Sequence, residues 1–204
     1  MRGESTLSKF LEKTYNRLFP LYLSRVDNCC LPQASYNFPG TTCISVDEEA
    51  AHGIPGGKVL VASDLVNIDV SAEISGYFGD TGGSFINPPE SNLKKNLCMV
   101  TKGALELAID EARDGRPFNV IGREIETQAR RSNLTVIRNL GSHGVGRALH
   151  EGPGFIPGYC DRNDTRILKL NQVITIEPLL STGAREVLDS GDGWTLITNS
   201  DYIL

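Results

Sequence analysis

The feature that most constrains this chain is residues 65–83, LVNIDVSAEISGYFGDTGG, which read as a β-hairpin carrying two carboxylates. Valine and isoleucine alternate with polar residues in its first half, the two-residue period of a half-buried strand. The Ser-Gly pair at 75–76 supplies a turn, and a second strand begins directly after it. Asp69 and Asp80 are therefore expected on neighbouring strands. For the hairpin alone, two solvated aspartates are the simpler interpretation, and a metal site needs partners elsewhere.

Composition excludes several classes of protein and leaves an ordinary globular one. The 204 residues suit one domain, or two small halves that share a core. Charged residues make up 22%, and the net charge of −5 gives no sign of a nucleic-acid or anionic-membrane partner. No apolar run suits a membrane span, and the N-terminus does not have the pattern of a secretory signal. Five cysteines without CxxC spacing argue against a disulfide framework, so a reduced, cytoplasmic protein is expected.

Two amphipathic helices are predicted after the hairpin. Ser91 is the expected N-cap of the first helix, which should end near Gly115. Asn119 is expected to cap the second helix. The three-and-four spacing of apolar residues predicts that the inward faces are formed by Leu97, Val100, Ala104, Leu107 and Ala108 in the first helix, and by Val120, Ile121, Ile125 and Ala129 in the second.

Further strands are predicted on both sides of the helices. The TTCISV run at 41–46 suits a strand that leads into a loop rich in glycine and proline. LTVIRNL at 134–140, NQVITIEP at 171–178 and WTLIT from Trp194 suit three more strands. The residues between them, 152–166, read as a loop.

The three histidines, His52, His143 and His150, lie among glycines or small residues rather than on an apolar helical face. A lone histidine is more often a surface or core residue than a ligand, and each is first interpreted in that way. If His143 is a metal ligand, His52 and His150 remain as candidates for proton transfer or for stabilising a tetrahedral oxyanion.

Asp69, Asp80, His143 and Glu177 form the candidate ligand group. Glu177 precedes a proline, which ends a strand and leaves the side chain at the rim of a sheet. Three carboxylates and one imidazole suit a hard or borderline divalent ion such as Mn, Fe, Co or Zn. A carboxylate that bridges two such ions creates an arrangement that activates water for hydrolysis.

Seven short motifs extend this pattern along the chain: AHGIP at 51–55, NIDV at 67–70, GDTG at 79–82, SHGVG at 142–146, LHE at 149–151, TIEP at 175–178 and DGW at 192–194. In these motifs and their spacing, residues 38–204 resemble the type I methionine aminopeptidases, metallopeptidases of the pita-bread fold. The resemblance implies an α/β (α+β) fold with a curved, mostly antiparallel sheet and helices on its outer face.

The resemblance also implies a role for each member of the ligand group. Asp69, Asp80, His143 and Glu177 match four metal ligands of the family, and Asp80 matches the one that bridges two divalent ions. In the family, a water held between the ions attacks the scissile peptide carbonyl, and Glu177 matches a residue suited to accept its proton. The identity of the ions, Co, Mn, Fe or Zn, stays open.

Substrate contacts are implied in the same way. His52 would contact the substrate near the scissile bond, and His150 would hydrogen-bond the carbonyl as it becomes an oxyanion. The pocket for the methionine side chain is implied to be formed by Phe38, Cys43, Leu149 and Trp194. Leu149 stands where an aromatic residue is common, so that wall is expected to differ.

The family removes the initiator methionine from nascent chains whose second residue is small. The resemblance therefore implies the N-terminal methionine of nascent polypeptides as the substrate and a monomer as the oligomeric state. It leaves open whether the protein meets the ribosome.

Two regions depart from the family pattern. Residues 1–36, where a short amphipathic helix is predicted within 7–23, do not match the family's longer helical N-terminal region. The expected division is a divergent segment at 1–36 and a pita-bread aminopeptidase domain at 37–204. A further family ligand, a bridging glutamate in a Glu-His-Thr motif, would fall just beyond Leu204 at the family's spacing. The resemblance thus implies a domain without its last strand, and it leaves the activity of this chain open.

Two alternatives therefore stay beside the aminopeptidase. One is a catalytically impaired homologue or fragment that binds peptides or a partner, although such a domain has no need for like-charged carboxylates in contact. The other is an Xaa-Pro peptidase of the same fold, against which the AHGIP motif and Trp194 argue. Nucleophilic catalysis by Cys43 would need a lowered thiol pKa and a partner base, and the carboxylate group makes a covalent step unnecessary.

Overall fold

The computed structural model describes residues 36–199 and 202–204, and the helix predicted within 7–23 lies outside these residues. In the described part the elements are β1 (Cys43–Val46), β2 (Glu49–Ala51), β3 (Leu65–Ile74), β4 (Tyr77–Ile86), α1 (Asn92–Glu111), α2 (Asn119–Arg131), β5 (Thr135–Val136), β6 (Gly141–Gly144), β7 (Glu151–Pro157), β8 (Leu180–Ser181), β9 (Leu188–Asp189) and β10 (Leu196–Ile197).

All pairs between these strands are antiparallel, in agreement with the predicted fold class. The strands form two three-stranded sheets, β1-β3-β4 and β2-β10-β9, and two strand pairs, β5-β8 and β6-β7. Neither α1 nor α2, the helices of the described part, is long and apolar enough to cross a bilayer.

The hairpin of β3 and β4 forms as predicted and extends to Ile86. The two strands pair residue by residue across a turn at Ser75 and Gly76. Both turn residues have positive φ angles, 56° and 82°, which match the twist of a two-residue hairpin. The apolar face of β3 packs against Val46 of β1. The polar face, which carries Asp69, is therefore turned to the other side of the sheet.

Helices α1 and α2 pack together in the main core. Leu97, Ala104 and Ala108 of α1 lie in the same cluster as Ile125 of α2, and strands β3, β7 and β8 contribute further apolar residues. The inward face predicted for α2 is confirmed. The prediction that Leu107 faces inward is wrong. This residue is 40% exposed and is not among the buried residues of α1.

The N-terminus of α1 is confirmed, whereas the other two predicted helix ends are shifted. Ser91 occupies the N-cap of α1, but its side chain makes no capping hydrogen bond. The helix ends at Glu111 rather than near Gly115, whose N–H donates to the Leu168 carbonyl instead. The N-cap of α2 is Phe118 rather than Asn119, because Phe118 is buried in the core and fixes where the chain enters the helix.

The second half of the chain departs most from its sequence pattern. The loop predicted at 152–166 contains strand β7, which pairs with β6. This pairing depends on glycine, since a Cβ at Gly144 would lie 2.5 Å from the Gly152 carbonyl oxygen. Of the strand predicted at 134–140, only the two residues of β5 are regular.

The strand predicted at 171–178 is not a regular one. It follows β6 through isolated contacts, including a bridge between Gly144 and Ile174 and a hydrogen bond from Glu177 N–H to Ser142 Oγ. Pro178 has no N–H with which to continue such a ladder. The strand predicted from Trp194 is likewise reduced to the two residues of β10.

A buried lysine joins α1 to the turn after β1 and to the loop before β3, and its loss is expected to destabilise the fold. Lys94 Nζ makes an ion pair with Asp47 and donates to the Ser63 carbonyl oxygen at 2.7 Å. Because the Lys94 side chain is only 11% exposed, Lys94→Met should lower the free energy of unfolding by about 1–3 kcal/mol.

Chemical denaturation measures this effect, and the adjacent lysine is the matched control. Lys95 pairs with Glu90, and both side chains are more than half exposed, at 61% and 53%. We expect Lys95→Met to change the free energy of unfolding by less than about 1 kcal/mol. Equal effects of the two substitutions would contradict the structural role of Lys94.

Candidate metal centre

Strands β3 and β4 present Asp69 and Asp80 on one face of the hairpin. Asp69 pairs in register with Gly82, and Asp80 pairs with Ser71, so the two carboxylates are diagonal neighbours. Ser71 Oγ lies 3.3 Å from Asp80 Oδ1 and donates to it. A side chain at Gly82 would crowd the site, because its Cβ would come within 3.1 Å of the Ile68 carbonyl oxygen.

His143 and Glu177 reach the same place from the other side. His143 Nε2, on β6, lies 3.6 Å from Asp80 Oδ2 and 3.2 Å from Glu177 Oε1. The Nδ1 atom of the same ring lies 2.9 Å from the Gly144 carbonyl oxygen. A carbonyl oxygen only accepts, so Nδ1 carries a proton and Nε2 is the atom directed at the carboxylates.

Three of the four predicted ligands converge. One ligand atom each from Asp80, His143 and Glu177 lies within 4.8 Å of the others. Asp69 does not join this group of three, but its carboxyl group interacts with the charge of Asp80. Two carboxylates and one imidazole, with a third carboxylate beside them, form a donor set suited to a divalent cation.

The charged groups of the centre favour the binding of a cation. Burial first, and then the charges of Asp80 and Glu177, raise the pKa of Asp69 well above its ordinary value of 3.8. Burial alone would lower the pKa of His143, but its interactions with the carboxylates of Asp80 and Glu177 outweigh burial and raise the pKa to about 10. A bound divalent ion would take the place of the proton on the imidazole and offset the repulsion between the carboxylates.

The other two histidines lie next to this group. The ring of His150 is 4.0 Å from that of His143, and Tyr36 Oη lies 2.6 Å from His150 Nδ1. Desolvation and the nearby His143 lower the pKa of His150. His52, whose φ is +55°, also has a lowered pKa, because desolvation outweighs the charges of Glu177 and Asp80. Both rings are therefore neutral at pH 7.

The residues predicted for the side-chain pocket include two aromatic rings that are in contact. Phe38 and Trp194 meet edge to face, with ring centroids 5.3 Å apart. Cys43 pairs in register with Asp69, and Leu149 is buried one position before His150 along the chain.

The thiol of Cys43 is unsuited to nucleophilic attack. Burial, followed by the charges of Asp69 and Asp80, raises its pKa to about 12. The thiolate, which is the reactive form, is therefore strongly disfavoured.

Hydroxyl groups that support the centre were missed by the sequence analysis. Thr175 Oγ1 lies 2.5 Å from Glu177 Oε1, Ser142 accepts from Glu177 N–H, and Ser71 donates to Asp80. Thr175 carries the clearest signal, since it stands two residues before Glu177 and shares its face in an extended segment. Ser71 has the same relation to Asp69, two residues away on one face of β3, whereas Ser142 carries no such signal.

Comparison with known proteins decides the family. The model of "Metallopeptidase family M24" matches residues 4–199. This chain belongs to metallopeptidase family M24. Within the family, the chain is 45% identical over 168 residues to "Methionine aminopeptidase 2" of Bacillus subtilis (strain 168), an alignment that covers 82% of this chain and 68% of the relative. It is 47% identical over 163 residues to a methionine aminopeptidase of Staphylococcus epidermidis, covering 79% of this chain and 65% of the relative.

A solved M24 structure confirms the fold. The crystal structure of methionine aminopeptidase from Rickettsia prowazekii has a TM-score of 0.79 and 32% sequence identity, over 85% of this chain and 69% of that chain. The predicted pita-bread fold and the predicted family are thus confirmed. The chain spans about two thirds of the length of the curated relatives that it matches.

Proposed function

We propose that the chain is a metal-dependent aminopeptidase that removes the N-terminal methionine from polypeptides with a small second residue. The observation that carries the proposal is the convergence of Asp80, His143 and Glu177 on one point, in a chain whose curated M24 relatives are named methionine aminopeptidases. An Xaa-Pro peptidase is less favoured, because two solved structures of that kind share only the fold, at 23% and 18% identity.

The proposed cofactor is a pair of divalent ions of Mn, Co, Fe or Zn. Asp69, Asp80, His143 and Glu177 would hold it. Bound divalent ions supply a water of lowered pKa and polarise a carbonyl group. The raised pKa of Asp69 supports this proposal, because carboxylates that repel each other are stabilised by a cation placed between them.

His150 and His52 are proposed as the neutral imidazoles that act on the scissile bond. A neutral ring that accepts the Tyr36 hydroxyl proton at Nδ1 carries its own proton on Nε2. Nε2 of His150 is then a donor for the carbonyl oxygen as negative charge develops on it. His52 is proposed to contact the substrate beside this bond, and Glu177 to accept a proton there.

The methionine side chain is proposed to enter an apolar pocket built on the rings of Phe38 and Trp194. The two rings are in edge-to-face contact, and a thioether sulfur binds favourably to aromatic rings. Cys43 and Leu149 are proposed as further walls, and both are buried. A pocket of this kind accepts an unbranched apolar side chain better than a polar one.

The remaining proposals concern the setting of the reaction. Residues 37–204 are proposed as the aminopeptidase domain and 1–36 as a divergent segment. The substrate is proposed to be a nascent polypeptide in the cytoplasm, where the free thiols of Cys43, Cys98 and Cys160 would stay reduced. We propose a monomer and no direct contact with nucleic acid, in keeping with the net charge of −5. The ribosome is the partner that would bring nascent chains within reach.

The proposal is tested by peptide hydrolysis with the 204-residue chain. We expect release of methionine from a Met-Ala-Ser peptide with added Mn or Co, no release with chelator, and no cleavage of an Ala-Pro peptide. The same assay is run on the chain extended at its C-terminus by the Glu-His-Thr strand of the resemblance. Cleavage of the Ala-Pro peptide would favour the Xaa-Pro peptidase. No turnover in either form would leave a binding module.

A further inference from the structure

We propose that Thr175 is a positioning residue of the metal centre and that its hydroxyl holds the Glu177 carboxylate in the orientation in which that group binds the metal. The inference rests on the proposed metal site. It adds to that site a side chain that is not itself a ligand.

The hydrogen bonds of Thr175 assign its proton to Glu177. Thr175 Oγ1 lies 2.5 Å from Glu177 Oε1, whereas the other acceptor in reach, the His143 carbonyl oxygen, lies 3.4 Å away. That carbonyl already accepts the backbone N–H of Thr175 at 2.8 Å. A hydroxyl has a single proton, so the near and charged acceptor takes it.

The same hydroxyl ties the two ligands together. Its oxygen accepts the backbone N–H of His143 at 3.0 Å while its proton points to the Glu177 carboxylate. The carboxylate oxygen that Thr175 holds is also the one that lies 3.2 Å from His143 Nε2. One buried side chain therefore sets the backbone of one ligand and the carboxylate of the other.

Glu177 is the ligand that most needs such support. Its side chain is 42% exposed, compared with 11% for His143 and 12% for Asp80. A glutamate with this much freedom loses rotamer entropy when it binds a metal. Thr175 is 8% exposed, and its branched side chain has few rotamers, so it offers a fixed partner against which the carboxylate is ordered in advance.

The test is calorimetric titration of the 204-residue chain with MnCl₂, on variants that separate the hydroxyl from the shape of the side chain. Thr175→Val keeps the branch and removes the hydroxyl, and it should weaken Mn²⁺ binding about 10–100-fold, the usual loss for an outer partner of a ligand. Thr175→Ser keeps the hydroxyl and should retain most of the affinity. A role in packing predicts the reverse order, since serine loses the methyl group and valine does not.

Ser142→Ala is the matched control. Ser142 Oγ accepts the backbone N–H of Glu177 at 2.8 Å, so this variant also leaves a backbone N–H in the centre without its hydroxyl, but it does not touch the carboxylate. We expect it to weaken Mn²⁺ binding less than Thr175→Val does. Equal losses would mean that the unpaired N–H, and not the carboxylate, is responsible, and would overturn the proposal.

The remaining outcomes separate this inference from the proposed function. If the unaltered chain binds no Mn²⁺, the metal site itself is refuted. If it binds Mn²⁺ and Thr175→Val binds as tightly, only the role of Thr175 is refuted. Should circular dichroism show that Thr175→Val is unfolded, Thr175→Ser and Thr175→Ala are compared, because they differ in the hydroxyl alone. Equal affinities of that pair would refute the role as well.

Discussion

Replacing Asp80 by asparagine is expected to lower metal-dependent methionine release by more than about 100-fold, since the loss of even an outer partner of a ligand typically costs 10–100-fold. Asp80 lies between the imidazole and the other carboxylates of the proposed ligand set. Its Oδ2 atom lies 3.6 Å from His143 Nε2, it belongs to the converging group with Glu177, and its charge raises the pKa of Asp69. Asparagine has nearly the same shape, so the change removes charge with little repacking.

The control for this experiment is the same chemical change far from the site. Asp110 lies near the end of α1 with its side chain 74% exposed, and Asp110→Asn should leave methionine release unchanged. The metal-free Asp80→Asn protein should melt within about 4 °C of the unaltered chain, a shift that corresponds to roughly 1–2 kcal/mol at this size. The variant loses both the repulsion from Asp69 and the attraction to His143, which have opposite signs. Full activity in Asp80→Asn would remove Asp80 from the centre.

Sequence patterns predicted the part of the site that lies within one hairpin. The two-residue period of β3 and the Ser-Gly turn determine which residues pair, and Asp69 and Asp80 meet on one face for that reason alone. The inward face of α2 followed from its apolar spacing in the same way. In both cases the residues that decide the structure lie within one element or one hairpin.

The remainder of the site depends on contacts between distant parts of the chain. Segment 171–178 contacts β6 through isolated hydrogen bonds, such as the one from Thr175 N–H to the His143 carbonyl. The spacing of apolar residues in the sequence does not predict a pairing of this kind. Tyr36 meets His150 across more than a hundred residues. Strand β7 was read as a loop because its glycines and prolines suggest one. It forms because Gly141 and Gly144 let its backbone approach β6 closely.

The second large effect is expected on the free energy of unfolding when Gly122 is replaced by alanine. Alanine usually stabilises a helix relative to glycine, but at this position we expect it to destabilise the protein. Gly122 lies in α2, where alanine would ordinarily be favoured by about 1 kcal/mol. A Cβ at this position would lie 2.6 Å from the Tyr159 carbonyl carbon and 2.7 Å from the Pro157 carbonyl oxygen, and closer still to the Tyr159 carbonyl oxygen. These are backbone atoms at the end of β7 and in the segment directly after it, so they cannot rotate away. We expect Gly122→Ala to lower the free energy of unfolding by about 1–3 kcal/mol.

Gly103 in α1 gives the comparison that isolates the clash. A Cβ there would meet nothing within 4 Å, so alanine should show its ordinary advantage over glycine in a helix. We expect Gly103→Ala to raise the free energy of unfolding by up to about 1 kcal/mol. Denaturant melts of the two variants should therefore move in opposite directions from the unaltered chain. If Gly122→Ala also stabilised the protein, α2 would not approach the segment after β7 so closely. The position of β7, which pairs with β6, would then differ. The backbone of His143 on β6 would differ with it.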